Sequence, residues 1–113
     1  MPLRIGFTNF RQQMLERELD RIIETMPILG IEKAILVGDM VTGKYSPDSR
    51  IDLVIVHQTD RCFGRRADFF SYHLNSSVAV DTQVYTPEEF EALQETNPTL
   101  KLAVEKGREI FHA

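Results

Sequence analysis

The fold is decided by residues 33–56, which read KAILVGDMVTGKYSPDSRIDLVIV. Two apolar runs, residues 33–37 and 51–56, each have the length of a buried strand, and the second is rich in β-branched residues. Gly38 closes the first run, and the polar segment between the runs contains the turn residues Gly43 and Pro47. Because this segment has no room for a full crossover helix, the two strands are expected to pair antiparallel or within a mixed sheet.

Outward from this pair, apolar spacing and capping signals predict the other elements. We expect helices over residues 10–26, with Asn9 as the cap, and over 60–74, 87–94 and 98–107, and further strands over 78–85 and 109–112. Helices interleave with strands, which is typical of a sheet with helices packed on it. The predicted class is α/β, more narrowly α+β, with one domain over residues 1–113 and a mixed, mostly antiparallel sheet of about three to five strands.

Composition excludes several classes of protein. The 113 residues include 13 Lys and Arg against 17 Asp and Glu, which gives a net charge of -4. This acidity argues against a general binder of nucleic acid or anionic membranes. A single cysteine cannot form an internal disulfide, which favours a reducing compartment. No apolar run has the length of a transmembrane helix, and residues 1–4 lack the layout of a signal peptide, so a cytoplasmic protein is expected.

Three aspartates are expected to meet at one edge of the sheet. Asp39 follows the first strand, Asp52 begins the second, and Asp81 lies in the third. Neighbouring strands lie about 4.8 Å apart, so their carboxylates can reach a shared cation. Hard cations such as Mg²⁺ prefer such oxygen ligands together with substrate phosphates, and a glycine turn at Gly38 lets a phosphate approach the backbone. The pattern therefore predicts a site for a nucleotide and a metal.

The same residues resemble the minimal nucleotidyltransferases of the DNA polymerase beta superfamily. The pattern of that family is Gly-Ser, ten residues, Asp-x-Asp, and a third Asp on a later strand. This chain has Gly38-Asp39, then ten residues, then Arg50-Ile51-Asp52, and Asp81 further on. The likeness extends over most of the chain from about residue 15.

The resemblance implies a role for each matching position. It makes Asp52 and Asp81 the catalytic residues and the Mg²⁺ ligands. It makes the following residues nucleotide-binding: Gly38, Asp39, Gly43, Lys44 and Arg50. Two positions depart from the family pattern, because Arg50 replaces a metal-binding aspartate and Asp39 replaces the serine that donates to the triphosphate. Both changes oppose the binding of a metal–triphosphate complex.

The two departures lead to two hypotheses for the site and two for the function. In the first hypothesis for the site, Asp39 and Arg50 form a salt bridge that fills the metal position, and we favour it because an Arg fork pairs well with a carboxylate. In the second, Asp39, Asp52 and Asp81 hold one metal. The favoured function is that of an impaired or inactive family member that binds a nucleotide such as ATP or a protein partner, as an antitoxin does. The alternative is Mg²⁺-dependent transfer of a nucleoside monophosphate from an NTP to a protein or small molecule. The resemblance implies a small helical HEPN-type partner.

A second group of residues lies in the predicted helix over residues 60–74. Arg61 and Arg65 share one helix face, and Arg66 is displaced from it. The aromatic residues of this helix are expected to be mainly core, and an excess of apolar surface here would form a subunit contact in a homo-oligomer. Nucleic acid is not the expected partner of this basic cluster, since the chain as a whole is acidic.

Overall fold

The computed structural model describes the backbone of residues 2–113 and the side chains of residues 6–113. The elements follow in the order α1 (Pro2–Thr25), β1 (Lys33–Val37), α2 (Asp39–Thr42), β2 (Ile51–Val56), α3 (Phe63–Leu74), β3 (Val80–Tyr85), α4 (Pro87–Leu93), α5 (Pro98–Lys106) and β4 (Arg108–His112). The predicted α+β class is confirmed.

The sheet is mixed, with the strand order β3-β2-β1-β4. β1 pairs antiparallel with β2, as the short connection between them predicts, and it also pairs antiparallel with β4. β2 and β3 are parallel because α3 crosses over between them. The register of this parallel pair sets Asp52 opposite Asp81, and that of the β1–β2 pair sets Val37 opposite Asp52. Long-range pairing therefore brings Asp52 and Asp81 together.

Helices cover both faces of the sheet. The larger core lies under α1 and α3, where one side of α1 packs on alternate residues of β1 and β2 (Leu15, Leu19, Ile22 and Met26 against Ala34, Leu36, Ile51, Leu53 and Ile55). The smaller core lies under α4 and α5, and contains Phe90, Leu100 and Ala103 packed on Ile35, Val54 and Val56. By strand alternation, Asp52 and Asp81 lie on this second face.

Two local predictions are wrong. The first helix begins at Pro2 rather than after Asn9, so Asn9 and Gln12 lie inside it and cap nothing. Proline is tolerated in the first turn of a helix, and Gly6, which stands between it and Asn9, costs a helix only about 1 kcal/mol. A four-residue helix, α2, occupies the start of the segment expected to be a polar turn. Among the described helices, none combines the length and the apolarity that a bilayer span requires.

A capping box lies at the start of α4, where the capping signals predict a helix from residue 87. Thr86 Oγ1 accepts a hydrogen bond from the Glu89 N–H at 3.1 Å, and Glu89 Oε1 accepts one from the Thr86 N–H at 2.9 Å. Arg66, on α3, donates to both carboxylate oxygens of Glu89. The guanidinium of Arg66 and the Thr86 N–H hold the pKa of Glu89 below its usual range. This carboxylate therefore joins α3 to the first turn of α4.

The lowered pKa of Glu89 predicts a loss of stability in acid. The stabilisation is complete above the pKa of the unfolded chain, about 4.3, and is lost as the pH falls through the lower folded pKa. We expect the urea midpoint of the wild type to fall more steeply between about pH 6 and pH 3 than that of Glu89→Gln, which cannot titrate here. Parallel pH profiles for the two proteins would contradict this assignment.

Candidate functional site

The site is built where β1 ends and β2 begins. Gly38 has φ 81° and ψ -150°, a conformation that side chains rarely adopt, and it turns the chain from β1 into α2. The space beside its Cα is filled by Asp52, because a Cβ at this position would lie 2.5 Å from Asp52 Oδ2. Glycine here thus allows β1 to end against the carboxylate of Asp52.

Asp39 is held by the turn that leads into β2. Its Oδ2 accepts a hydrogen bond from the buried Ser49 hydroxyl at 2.8 Å. The Ser49 hydroxyl oxygen also accepts from the Ser46 N–H at 2.8 Å, and the Ser49 carbonyl accepts from Arg11 Nε on α1 at 2.8 Å. Sequence reasoning did not identify Ser49 or Arg11 as site residues, since only the folded chain brings Ser49 to Asp39 and Arg11 to the Ser49 carbonyl.

Arg50 lies between the two strand aspartates. Its Nε donates to Asp52 Oδ1 at 3.0 Å, and its Nη2 lies 3.8 Å from Asp81 Oδ2. The side chain of Asp52 is 23% exposed and that of Arg50 is 57% exposed, so the ion pairs lie at the surface above a half-buried carboxylate. A surface ion pair of this kind contributes little to stability, and its importance here is its position.

The predicted Asp39–Arg50 salt bridge is wrong. Among the ion pairs of the described residues, those of Arg50 are with Asp52 and Asp81, and Asp39 is bound by Ser49 instead. The hypothesis rested on a real charge complementarity, but it assigned the wrong carboxylate to Arg50. The side chain of Arg50 crosses the strand starts towards β3, where Asp81 faces Asp52 in the parallel register.

Burial and charge act against each other on Asp52. Burial raises the pKa of this carboxyl, while the hydrogen bond and the positive charge of Arg50 lower it and the charges of Asp81 and Asp39 raise it, with a net rise. The three aspartates conversely raise the pKa of the Arg50 guanidinium, mainly through its hydrogen bond with Asp52. Arg50 is thus the counter-ion that keeps the carboxylates compatible at close range.

Gly43 and Lys44 lie at the far end of α2. Gly43 has φ 78° and ends α2 in the left-handed conformation, where its N–H donates to the Asp39 carbonyl. Lys44 is exposed, and its backbone N–H donates to Thr42 Oγ1 at 3.3 Å. Both residues follow the glycine turn in the chain, but the ion pairs that join the two strand aspartates are made by Arg50.

The residues present do not fit a divalent cation as they stand. The guanidinium of Arg50 already binds the carboxylates of Asp52 and Asp81, and its charge repels a second cation. Among the residues that the structure describes, no three His, Cys, Asp or Glu side chains are arranged as a metal site, which includes the alternative of Asp39, Asp52 and Asp81.

Comparison of the chain with protein-family models, with curated proteins and with solved structures finds no match.

Proposed function

We propose that this chain is a nucleotidyltransferase-like domain that transfers no nucleotide and acts in the cytoplasm by binding a partner, in the manner of an antitoxin. One observation carries the proposal: the guanidinium of Arg50 occupies the space between Asp52 and Asp81, where the resembled enzymes hold a metal. An arginine cannot be released as a metal ion can, because it is part of the chain. The two carboxylates are therefore already bound from within the chain, and one of their two negative charges is compensated.

The position of Asp39 supports the same proposal. A phosphate approaching the turn at Gly38 would meet this carboxylate, which the Ser49 hydroxyl holds in place at 2.8 Å. Like charges at such short range repel each other strongly. The features that would repel the metal and the triphosphate thus stand on adjoining segments of one site, so the nucleotide is disfavoured as a ligand and a protein partner is preferred.

The test compares the wild type with Arg50→Asp combined with Asp39→Ser. We expect calorimetry to detect no Mg²⁺-dependent binding of ATP to the wild type, and labelled ATP to transfer no AMP to protein. The double variant restores the family pattern and is expected to gain Mg²⁺-dependent ATP binding, because three carboxylates, the new one at position 50 with Asp52 and Asp81, then face the cation without a competing guanidinium. Arg50→Asp combined with Asp48→Ser is the matched control, since it changes the same charges but leaves Asp39 in place.

Two results would overturn the proposal. One is turnover by the wild type that requires Mg²⁺ and disappears in Asp52→Ala, which would establish the transferase. The surface exposure of Arg50 supports this alternative, because catalysis would require its side chain to move away from the carboxylates of Asp52 and Asp81. The other is a double variant that folds normally and still binds no ATP with Mg²⁺, which would show that Arg50 and Asp39 are not what prevents binding.

The partner is tested separately. We expect the tagged chain, co-expressed with the product of the adjacent gene, to elute with it as one stoichiometric complex when that product is a small helical protein of the HEPN type. The wild type and Asp52→Ala should bind this protein equally, because the proposed role requires no catalysis. Loss of the complex in Asp52→Ala would contradict a purely binding function.

A further inference from the structure

One side of α3 forms an exposed stripe that no other part of the described chain covers. The stripe consists of Arg61, just before the helix, and Arg65, Asp68 and Tyr72 within it. The spacing of three and four residues places Arg65, Asp68 and Tyr72 on one side of the helix, opposite the buried Phe70, whereas Arg61 lies before the extended N-cap residue Cys62. Tyr72 is 81% exposed. An open groove of about 510 Å³ follows the stripe and is also lined by Phe69 and His73.

The chemistry of this stripe is that of an interface. α3 has the sequence FGRRADFFSYHL, which exposes Tyr and Arg, residues that interfaces favour, and contains neither Lys nor Glu, while Ala67, Asp68 and Ser71 are of types that interfaces use less often. The guanidinium of Arg61 lies over the ring of Phe69, 5.0 Å from its centre, so one face of this cation is already held by an aromatic ring. Tyr72 packs edge-on against His73.

Two charges of the stripe have no counter-ion within the described chain. Neither Arg65 nor Asp68 takes part in any ion pair among the described residues. They have opposite signs and lie almost one turn apart, which is the arrangement that becomes complementary when the same surface is turned by 180° and placed against itself. An isologous interface requires this self-complementarity.

One register of two antiparallel copies of α3 pairs both of these charged residues. When two copies of α3 lie antiparallel with Arg65 facing Asp68 of the second copy, the two-fold axis repeats that pair. The same axis sets Tyr72 of each copy beside the segment that precedes α3 in the other copy, which contains Arg61, because the two lie equally far in the sequence from the midpoint of Arg65 and Asp68. Gly64, in the first turn of α3, has open space where a Cβ would stand, which leaves room for the second copy to approach.

We infer that this chain forms a two-fold symmetric dimer through the antiparallel packing of α3 on α3 of a second copy. Two Arg65–Asp68 ion pairs fix the register, and Tyr72 of each copy packs near the start of α3 of the other, beside Arg61. The helical part of the stripe, residues 65–72, spans roughly 11 Å, which is short for a protein interface, so the dimer is expected to be of the weak, micromolar class. This interface shares no residue with the site around Asp52, and its existence does not depend on the proposed function.

Analytical ultracentrifugation of charge-swap variants tests the register. The wild type should pass from monomer to dimer over a range of about 10–300 µM. Arg65→Asp and Asp68→Arg should each raise the dissociation constant by at least about 100-fold, because each sets like charges face to face. Mixed in equal amounts, the two variants should form a heterodimer with two restored ion pairs. Tyr72→Ala should raise the dissociation constant about tenfold or more, since it removes the aromatic anchor.

Matched controls lie on α5, away from the stripe. Lys101→Asp and Glu105→Arg change the charge in the same ways at exposed positions and should leave the dimer unchanged. Circular dichroism spectra will show whether all variants fold, as expected for exposed positions. A wild type that is monomeric throughout the range would overturn the inference. So would a dimer that survives both single variants, or two variants that fail to associate when mixed.

Discussion

Replacing Glu89 with Ala is expected to lower the free energy of unfolding by about 3 kcal/mol, since it leaves a buried guanidinium without its anion. Arg66 is only 8% exposed, and it donates to the carbonyls of Arg61 at 2.9 Å and Val84 at 3.3 Å as well as to Glu89. Those two carbonyls cannot replace the charge of the carboxylate. The substitution also removes the acceptor that Glu89 offers to the Thr86 N–H at the start of α4.

Urea unfolding of three variants separates this explanation from a general effect of the first turn of α4. Glu88→Ala is the matched control, because Glu88 is an exposed neighbour in the same turn, and it should cost less than about 0.5 kcal/mol. Arg66→Met should cost less than Glu89→Ala, since the side chain of Glu89 is 38% exposed and water can solvate it when Arg66 is gone. A Glu89→Ala variant as stable as Glu88→Ala would refute the role of the pair.

Replacing Gly38 with Ala is expected to cost about 3 kcal/mol or more, because backbone strain and a steric clash act together. Strain arises from the backbone conformation, with φ 81° and ψ -150°, which is almost restricted to glycine. The clash arises because the new methyl group would lie 2.5 Å from Asp52 Oδ2. Either β1 must shift or Asp52 must leave its position beside Arg50.

Gly43→Ala is the control for the backbone part of this effect. Gly43 also has a positive φ, 78°, but nothing lies within 4 Å of the position of its Cβ, so strain of about 1–2 kcal/mol is the only expected cost. A double-mutant cycle with Asp52→Ala isolates the clash. We expect Gly38→Ala to cost less in the Asp52→Ala background, and strict additivity would contradict the contact between these residues.

Local elements of the fold could be predicted where the signal lies within a few residues. The apolar run over 33–37 ending at Gly38 and the capping box at Thr86 both correspond to observed element boundaries. Each signal acts through neighbouring backbone groups, which is why sequence reveals it. Asn9 shows the limit of such signals, since a capping residue matters only where a helix actually begins. The short α2 helix is too brief for periodicity to reveal.

The candidate site was predicted as a set of residues but not as a set of contacts. The spacing of Asp52 and Asp81 within their strands indicated that they could meet, and the parallel register places them opposite each other. Asp39 is the partner that the sequence predicts for Arg50, since two altered positions with opposite charge suggest a compensating pair. In the folded chain the hydroxyl of Ser49 binds Asp39, and Arg50 binds Asp52 and Asp81.

By itself, the sequence determined the strands, the helices that separate them except for the short α2, and the presence of an arginine among three aspartates at one sheet edge. Only the tertiary structure decided which carboxylates this arginine binds and which side of α3 stays exposed. The physical reason is one of range. Strand and cap formation depend on interactions between near neighbours in the chain, whereas Asp81 reaches Arg50 through the pairing of β2 with β3, and the exposure of Arg65 and Tyr72 depends on how α3 packs on the sheet.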